Sequence, residues 1–208
     1  MPAIDHLVFV SPDLDAGVEH VASFTGVRAV AGGAHPGRGT HNALAAFDDE
    51  TYLEIIGIDP NQPDPEGPRP FGLTPSSAMQ LATFAVHPTG SESIAAVAAI
   101  LRDAGFDPGP VGPMSRTRPD GVVLNWHLTH AGAPVADGAI PFVIDWGQTP
   151  NPAASLPALG ELTCLRIVHP ATEVRELVGT LDPRIAADRG HVRLEAEIAT
   201  ASGAVTLT

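Results

Sequence analysis

The sequence predicts an α+β fold built from tandem strand–helix–strand–strand–strand units, and three observations carry that expectation. First, one layout occurs three times: a short apolar strand ending in Val, a small or polar residue, then Pro. The copies are Ile4-Asp-His-Leu-Val-Phe-Val-Ser-Pro12, Gln80-Leu-Ala-Thr-Phe-Ala-Val-His-Pro88 and Leu162-Thr-Cys-Leu-Arg-Ile-Val-His-Pro170. Second, each copy is followed by apolar residues at helical spacing. Third, strand patterns follow each helix, more of them after the first two than after the third. The reading is a single domain over 1–208, with unit one at 1–58, a connector at 59–78, unit two at 79–148 and a shortened third βαββ unit at 158–208.

The first helix repeats Leu14, Val18, Val21 and Ala22 behind the cap residue Asp13. The second repeats Ile94, Val97, Ala98 and Leu101, with Ser91 or Ser93 as cap and Gly105 as stop signal. The third carries Val174, Leu177, Val178 and Leu181. Pro fits each strand-to-helix corner because its missing N–H costs nothing in the first helical turn. Strands are expected at 27–31, 42–47 and 51–58, then 122–129 and 141–146, with another near 110–116. The third unit continues with strands at 191–198 and 204–207. The prolines of Asp59-Pro-Asn-Gln-Pro-Asp-Pro-Glu-Gly-Pro-Arg-Pro70 suit an extended connector. A four-stranded unit alone has a marginal core, so the units are expected to bury each other's edges.

Composition excludes several functions. The chain has 208 residues and a formal net charge of −13, from 11 basic and 24 acidic side chains. Phosphate backbones and anionic membranes would repel it, so neither nucleic acid nor membrane is an expected partner. Every basic residue is Arg, which removes Schiff-base lysines and the phosphate-loop lysine. The single Cys164 permits no intrachain disulfide and is expected to pack. No apolar run approaches the ~20 residues that span a bilayer, and the start lacks a basic n-region, so a cytoplasmic location is expected.

A twice-repeated βαβββ unit beginning Ile-Asp-His resembles the vicinal-oxygen-chelate superfamily, and within it the glyoxalase-like group. The residues carrying the likeness are Asp5-His6, Gly32-Gly33-Ala-His35, Gly39-Thr40-His-Asn42 and Tyr52-Leu-Glu54 in unit one. In unit two they are Arg116, Asp120-Gly121, Trp126 and Pro141-Phe-Val-Ile-Asp-Trp146. The resemblance implies a cupped sheet, helices on its outer face, and a small-molecule ligand in the cup. It also implies metal ligands on the first and last strands of the units. His6 and Glu54 match two such positions, and their donors suit Mn, Fe, Ni or Zn. The second half departs from the pattern, because Ala82 stands where a second His is expected. Asp145 is a candidate third ligand if its strand register brings it inward. Either a divalent metal is held by His6 and Glu54, or the two form a hydrogen-bonded pair without an ion.

Strand alternation sets His6 with Val8 and Val10 on one face, and Glu54 with Tyr52 and Ile56 on another. Both His6 and Glu54 are candidate catalytic residues; without metal, Glu54 remains a general base. The segment Gly32–Asn42 is too glycine-rich for regular structure and reads as a pocket rim, with His35, Thr40 and Asn42 as hydrogen-bonding contacts. His35 could instead tie the loop to itself. Over 122–129, Leu124, Trp126 and Leu128 alternate with Asn125, His127 and Thr129. If helices cover the apolar face, Asn125 and His127 look into the cup and Trp126 packs. Arg116 either neutralises a ligand carboxylate or enolate, or salt-bridges at the surface. Trp146 is either an aromatic pocket wall or core.

The expected function is a glyoxalase-like small-molecule enzyme of lyase, isomerase or dioxygenase type, metal-dependent or not. The alternative is a non-catalytic small-molecule or drug-binding protein, for which the acidic surface suits a cationic ligand. Paired units within one chain make a homodimer unnecessary, though compatible with the sequence.

Overall fold

The computed structural model describes residues 1–117, 121–130 and 133–208. Asp120, one of the residues that carry the family likeness, lies outside them. Unit one runs β1 (Ala3–Val10), α1 (Leu14–Thr25), β2 (Val30–His35), β3 (Thr40–Ala46) and β4 (Tyr52–Ile58). Unit two repeats this order as β5 (Gln80–His87), α2 (Ile94–Asp103), β6 (Val111–Thr117), β7 (Val123–Thr129) and β8 (Phe142–Asp145). Together they form one eight-stranded mixed sheet in the order β2-β3-β4-β1-β5-β8-β7-β6. Within each unit the first strand pairs in parallel with the fourth, and the units meet through antiparallel β1 and β5. The sheet curls until its edges approach: Arg116 on β6 donates from Nη1 to Asn42 Oδ1 on β3 at 2.8 Å. A nearly closed cup results.

The helices form where the sequence places caps. Asp13 accepts from the Ala16 N–H at 3.0 Å, and Gly26 ends α1 in the left-handed conformation at φ 73°. Of the two candidate caps for α2, Ser93 is the one used, accepting from the Ala96 N–H. Both helices bury Val and Leu against the sheet's outer face, Val18 and Val21 from α1, Val97 and Leu101 from α2. Each such burial contributes roughly 1.5–3 kcal/mol.

The third unit holds β9 (Glu161–Val168), α3 (Thr172–Val178), β10 (Ile185–Asp188), β11 (Arg193–Thr200) and β12 (Gly203–Leu207), in the order β10-β9-β11-β12. Strand β10 has only four residues and no alternation long enough to read in sequence. Leu165, Ile167 and Ile198 of this sheet share one core with Phe84, Val86 and the two helices. The outer face of the large sheet is thus covered by α1, α2 and a second sheet together.

Two expectations need correction. Residues 32–35 and 40–42 are strand, not irregular rim; a bulge between Ala31 and Gly33 absorbs the glycines, and only the turn at 36–39 is irregular. The connector does more than span: its 3-10 turn at Pro70–Gly72 sets Phe71 at the mouth of the cup, while Gln62 and Arg69 donate to the Thr40 and Gly39 carbonyls. Among the described residues, no helix is long and apolar enough to cross a membrane.

One buried carboxylate joins the third unit to the first. Asp182 accepts from the Ile4 N–H at 2.8 Å and from Arg184 Nη2 at 2.9 Å, and Arg184 reaches Thr51 Oγ1 at 3.1 Å. Burial alone would raise this carboxyl, but the hydrogen bonds from Arg184 and Ile4 outweigh it and hold its pKa below the ordinary value. A depressed carboxyl stabilises the fold above its unfolded pKa of about 3.9 and loses that contribution as pH falls through the folded value. Asp182→Asn is therefore expected to cost about 1–3 kcal/mol in urea denaturation at neutral pH. The gap to wild type should narrow as the titration is carried well below pH 4, because only wild type loses this contribution there.

Candidate functional site

The cup encloses a cavity of about 140 Å³, mostly apolar in lining. Ile56, Leu44 and Tyr52 line it, backed by two small apolar clusters, Val8, Val10 and Ala82 behind Ile56 and Ala46 beside Leu44 and Tyr52. Polar groups from β1, β2, β3, β4 and β6 meet at one place in this lining.

Glu54 is the centre of that group. It stands opposite Leu44 in the β3–β4 pairing, which brings Asn42 onto its diagonal. Asn42 Nδ2 donates to Glu54 Oε1 at 2.6 Å while its Oδ1 accepts from Arg116. One amide thus holds a buried carboxylate on one side and a buried guanidinium on the other. His6 Nε2 and His35 Nε2 flank the carboxylate, each 3.7 Å from one of its oxygens. Tyr52 stacks on His6 with ring centroids 4.7 Å apart. Burial, with the charges of Asp5 and Glu54, pushes the Tyr52 phenol well above its ordinary pKa.

The backbone explains how His6 is held. A bulge between Ile4 and His6 makes Asp5 the extra residue of β1, fully buried beside its neighbour. Asp5 accepts from His6 Nδ1 at 2.7 Å, Trp146 Nε1 at 3.0 Å, and His87 Nδ1 and Asn151 Nδ2 at 3.2 Å. Burial would raise Asp5, but the His6 and His87 hydrogen bonds and charges hold it below the usual carboxylate range. The bond from Nδ1 fixes the ring so that Nε2 faces Glu54.

Of the residues expected at the site, His6, His35, Asn42, Glu54, Arg116 and Trp146 line the cavity together. Thr40 stands behind, sharing a 2.9 Å hydrogen bond with His35 Nδ1. Burial first, then Arg116 and Arg38 against the pull of Glu54, depress the His35 pKa. Two expectations are reversed. His127 is exposed and does not line the cup; Trp126 and Leu128 do, because the inner face of β7 is the apolar one. Asp145 lies on the outer face opposite His127, since β8 turns Phe142, Ile144 and Trp146 inward. Gly32 stays glycine for a visible reason: a Cβ there would fall against Asn42 Oδ1 and 2.6 Å from Arg116 Nη1.

The structure adds residues that sequence reasoning missed. Arg38, in the turn between β2 and β3, reaches the cup and donates to His130 Nε2 at 3.0 Å. Phe71 and Phe142 face each other with centroids 5.9 Å apart, and Trp126 and Trp146 lie 5.3 Å apart. Only the aromatic at each of these positions was legible in sequence; what it faces depends on strand curvature.

A resident divalent ion does not fit these donors. Among the described residues, no three His, Cys, Asp or Glu side chains are arranged to hold a metal. Asp145 points away, Glu54 Oε1 is engaged by Asn42, and the second half offers Thr83, Phe142 and Ile144 to the cup.

Comparison with known proteins agrees with the architecture. The sequence profile described as a glyoxalase-like domain matches residues 4–181. A hypothetical protein from Staphylococcus aureus overlays at a TM-score of 0.64 with 12% identity, covering 100% of this chain and 99% of that one. A methylmalonyl-CoA epimerase from Streptomyces coelicolor, bound to 2-nitronate-propionyl-CoA, overlays more loosely at 0.41 with 18% identity, covering 68% of this chain and 95% of the epimerase. The methylmalonyl-CoA epimerase of Mycobacterium tuberculosis gives 0.41 with 14% identity, over 68% and 85% of the two chains. No curated protein matches the chain. With the profile spanning most of its length, the chain belongs to the glyoxalase-like domain family.

Proposed function

We propose that the chain is a small-molecule enzyme in which Glu54 takes a proton from a carbon acid while Arg116 meets the negative charge that develops on the neighbouring oxygen. The observation that carries this reading is the Glu54–Asn42–Arg116 array, a base and a cation buried on one wall and held apart by a single amide. Asn42 holds Glu54 Oε1, leaving Oε2, on the His6 side, for the proton. As the C–H bond breaks, its electron pair moves onto the carbonyl, and the oxyanion is stabilised by a guanidinium already in place. Returning the proton to the same or an adjacent carbon completes an isomerisation; expelling a leaving group instead completes an elimination. His6, oriented by Asp5, positions the carboxylate. The aromatic walls exclude water, which strengthens the charge interactions inside.

Solvent exchange tests the reading. Wild-type protein in D2O with a panel of 2-oxo and malonate-type carboxylates should exchange the acidic C–H of at least one, read by proton NMR. Glu54→Gln keeps the Asn42 contact and should slow exchange by about 10²-fold or more, and Arg116→Gln by about 10²–10³. Exchange by Glu54→Gln at the wild-type rate would overturn the proposal. Saturable binding without exchange would favour the other reading, a sequestering protein, which the aromatic lining also suits. Gly32→Val, displacing Asn42 and Arg116 by an ångström or more, should cost on the order of 10²-fold. Treatment with a chelator should leave the exchange rate unchanged, because the donors at Glu54 do not make a metal site; loss of activity restored by a divalent ion would refute that.

A further inference from the structure

The cup carries charge of the opposite sign to the molecule around it. The chain has a net charge of −13, yet among the described residues the only carboxylate lining the cavity is Glu54, against two guanidiniums, Arg116 and Arg38. Elsewhere most of the described arginines find a carboxylate, as Arg28, Arg69, Arg102, Arg166, Arg184 and Arg193 do, while Arg175 donates to the His169 and Pro170 carbonyls outside the cup. Among the described residues neither cup arginine has one within 4.0 Å. Arg116 is buried and spends one donor on Asn42. Arg38 is half-buried at the rim, donating to His130 Nε2 at 3.0 Å and to Met114 Sδ at 3.6 Å. Met114 and Arg116 are two residues apart on the inner face of β6, about 7 Å along the strand, and Arg38 reaches the cup beside the Met114 sulfur. Glu54 can offset one of these cations, not two.

We propose that the site takes a small dianion, a short dicarboxylate whose reacting end meets Arg116 and whose second carboxylate meets Arg38 at the mouth. Its carbon chain would lie along Met114 against the aromatic walls. Which end reacts rests on the proton-transfer reading above; the preference for two charges does not. The cationic ligand expected from overall acidity is the wrong sign for this cavity.

Calorimetric titration of the full chain with malonate, succinate, glutarate and adipate, each beside its monoamide, tests the proposal. At least one dicarboxylate should bind about tenfold or more tighter than its monoamide, because a second charge-assisted contact is lost with the amide. In Arg38→Gln that ratio should fall to about one while the monoamide still binds. Equal binding of acid and amide by wild type, an undiminished ratio in Arg38→Gln, or no saturable binding of any dicarboxylate would overturn it. Should the variant not fold, salt dependence in wild type decides: the dicarboxylate must weaken more steeply with salt than its monoamide. A dianion preference without proton exchange would sink the catalytic reading alone. Exchange of monoanions with no such preference would sink this inference alone.

Discussion

The antiparallel pairing of β1 with β5 is the constraint on which the molecule depends. It sets two like units edge to edge, so that each first strand is flanked by its own fourth strand and by the other unit's first. Neither unit then exposes its central edge, and right-handed twist accumulated over eight strands curls the sheet toward closure. The same seam carries a bulge in each strand, with Asp5 the extra residue on one side and Ala82 on the other. On the first side the bulge holds a carboxylate behind His6; on the second it holds only a methyl group. Two symmetrically placed irregularities thus have unequal chemistry.

Much of the fold was legible because its signals are local. The three strand-to-Pro corners, the caps at Asp13 and Ser93, and the apolar stripes of α1 and α2 are short-range patterns that tertiary contacts only confirm. Alternation grouped His6 with Val8 and Glu54 with Tyr52, and the family likeness turned both groups inward. Alternation failed on β7, because it says which face is apolar and not which face is inside. In unit one the inner face carries the polar groups. In unit two the apolar residues Trp126 and Leu128 turn inward and His127 turns out. The glycine-rich stretch was misread for a related reason. Gly37 and Gly39 do serve the turn, at φ 72° and 63°, but Gly32 serves close approach, to Asn42 on the neighbouring strand and to Arg116 far away in the chain.

The site is asymmetric in the same way. Asn42 and Glu54 come from adjacent strands of one unit, so their geometry follows from a single hairpin register. Arg116 arrives from the far edge strand, and Arg38 from a turn. No spacing in the sequence relates Arg116 to Asn42 and Glu54, since closure of the sheet brings it to them. Electrostatics compounds the difficulty. Net charge describes the surface, while the lining of a cavity is set by a handful of side chains that contribute little to the total.

The unequal inheritance of the two duplicates has an evolutionary consequence. His6, His35, Asn42 and Glu54 come from one repeat and are braced by hydrogen bonds there, whereas Trp126, Leu128, Phe142 and Ile144 of the other form apolar walls. Exchanging Trp126, Leu128 or Ile144 for a smaller group would reshape the chamber, whereas Phe142 also packs edge-on against the His6 ring, 5.4 Å away. Such a scaffold can drift toward new metabolites by tailoring one half, and gene duplication supplies the freedom to do so.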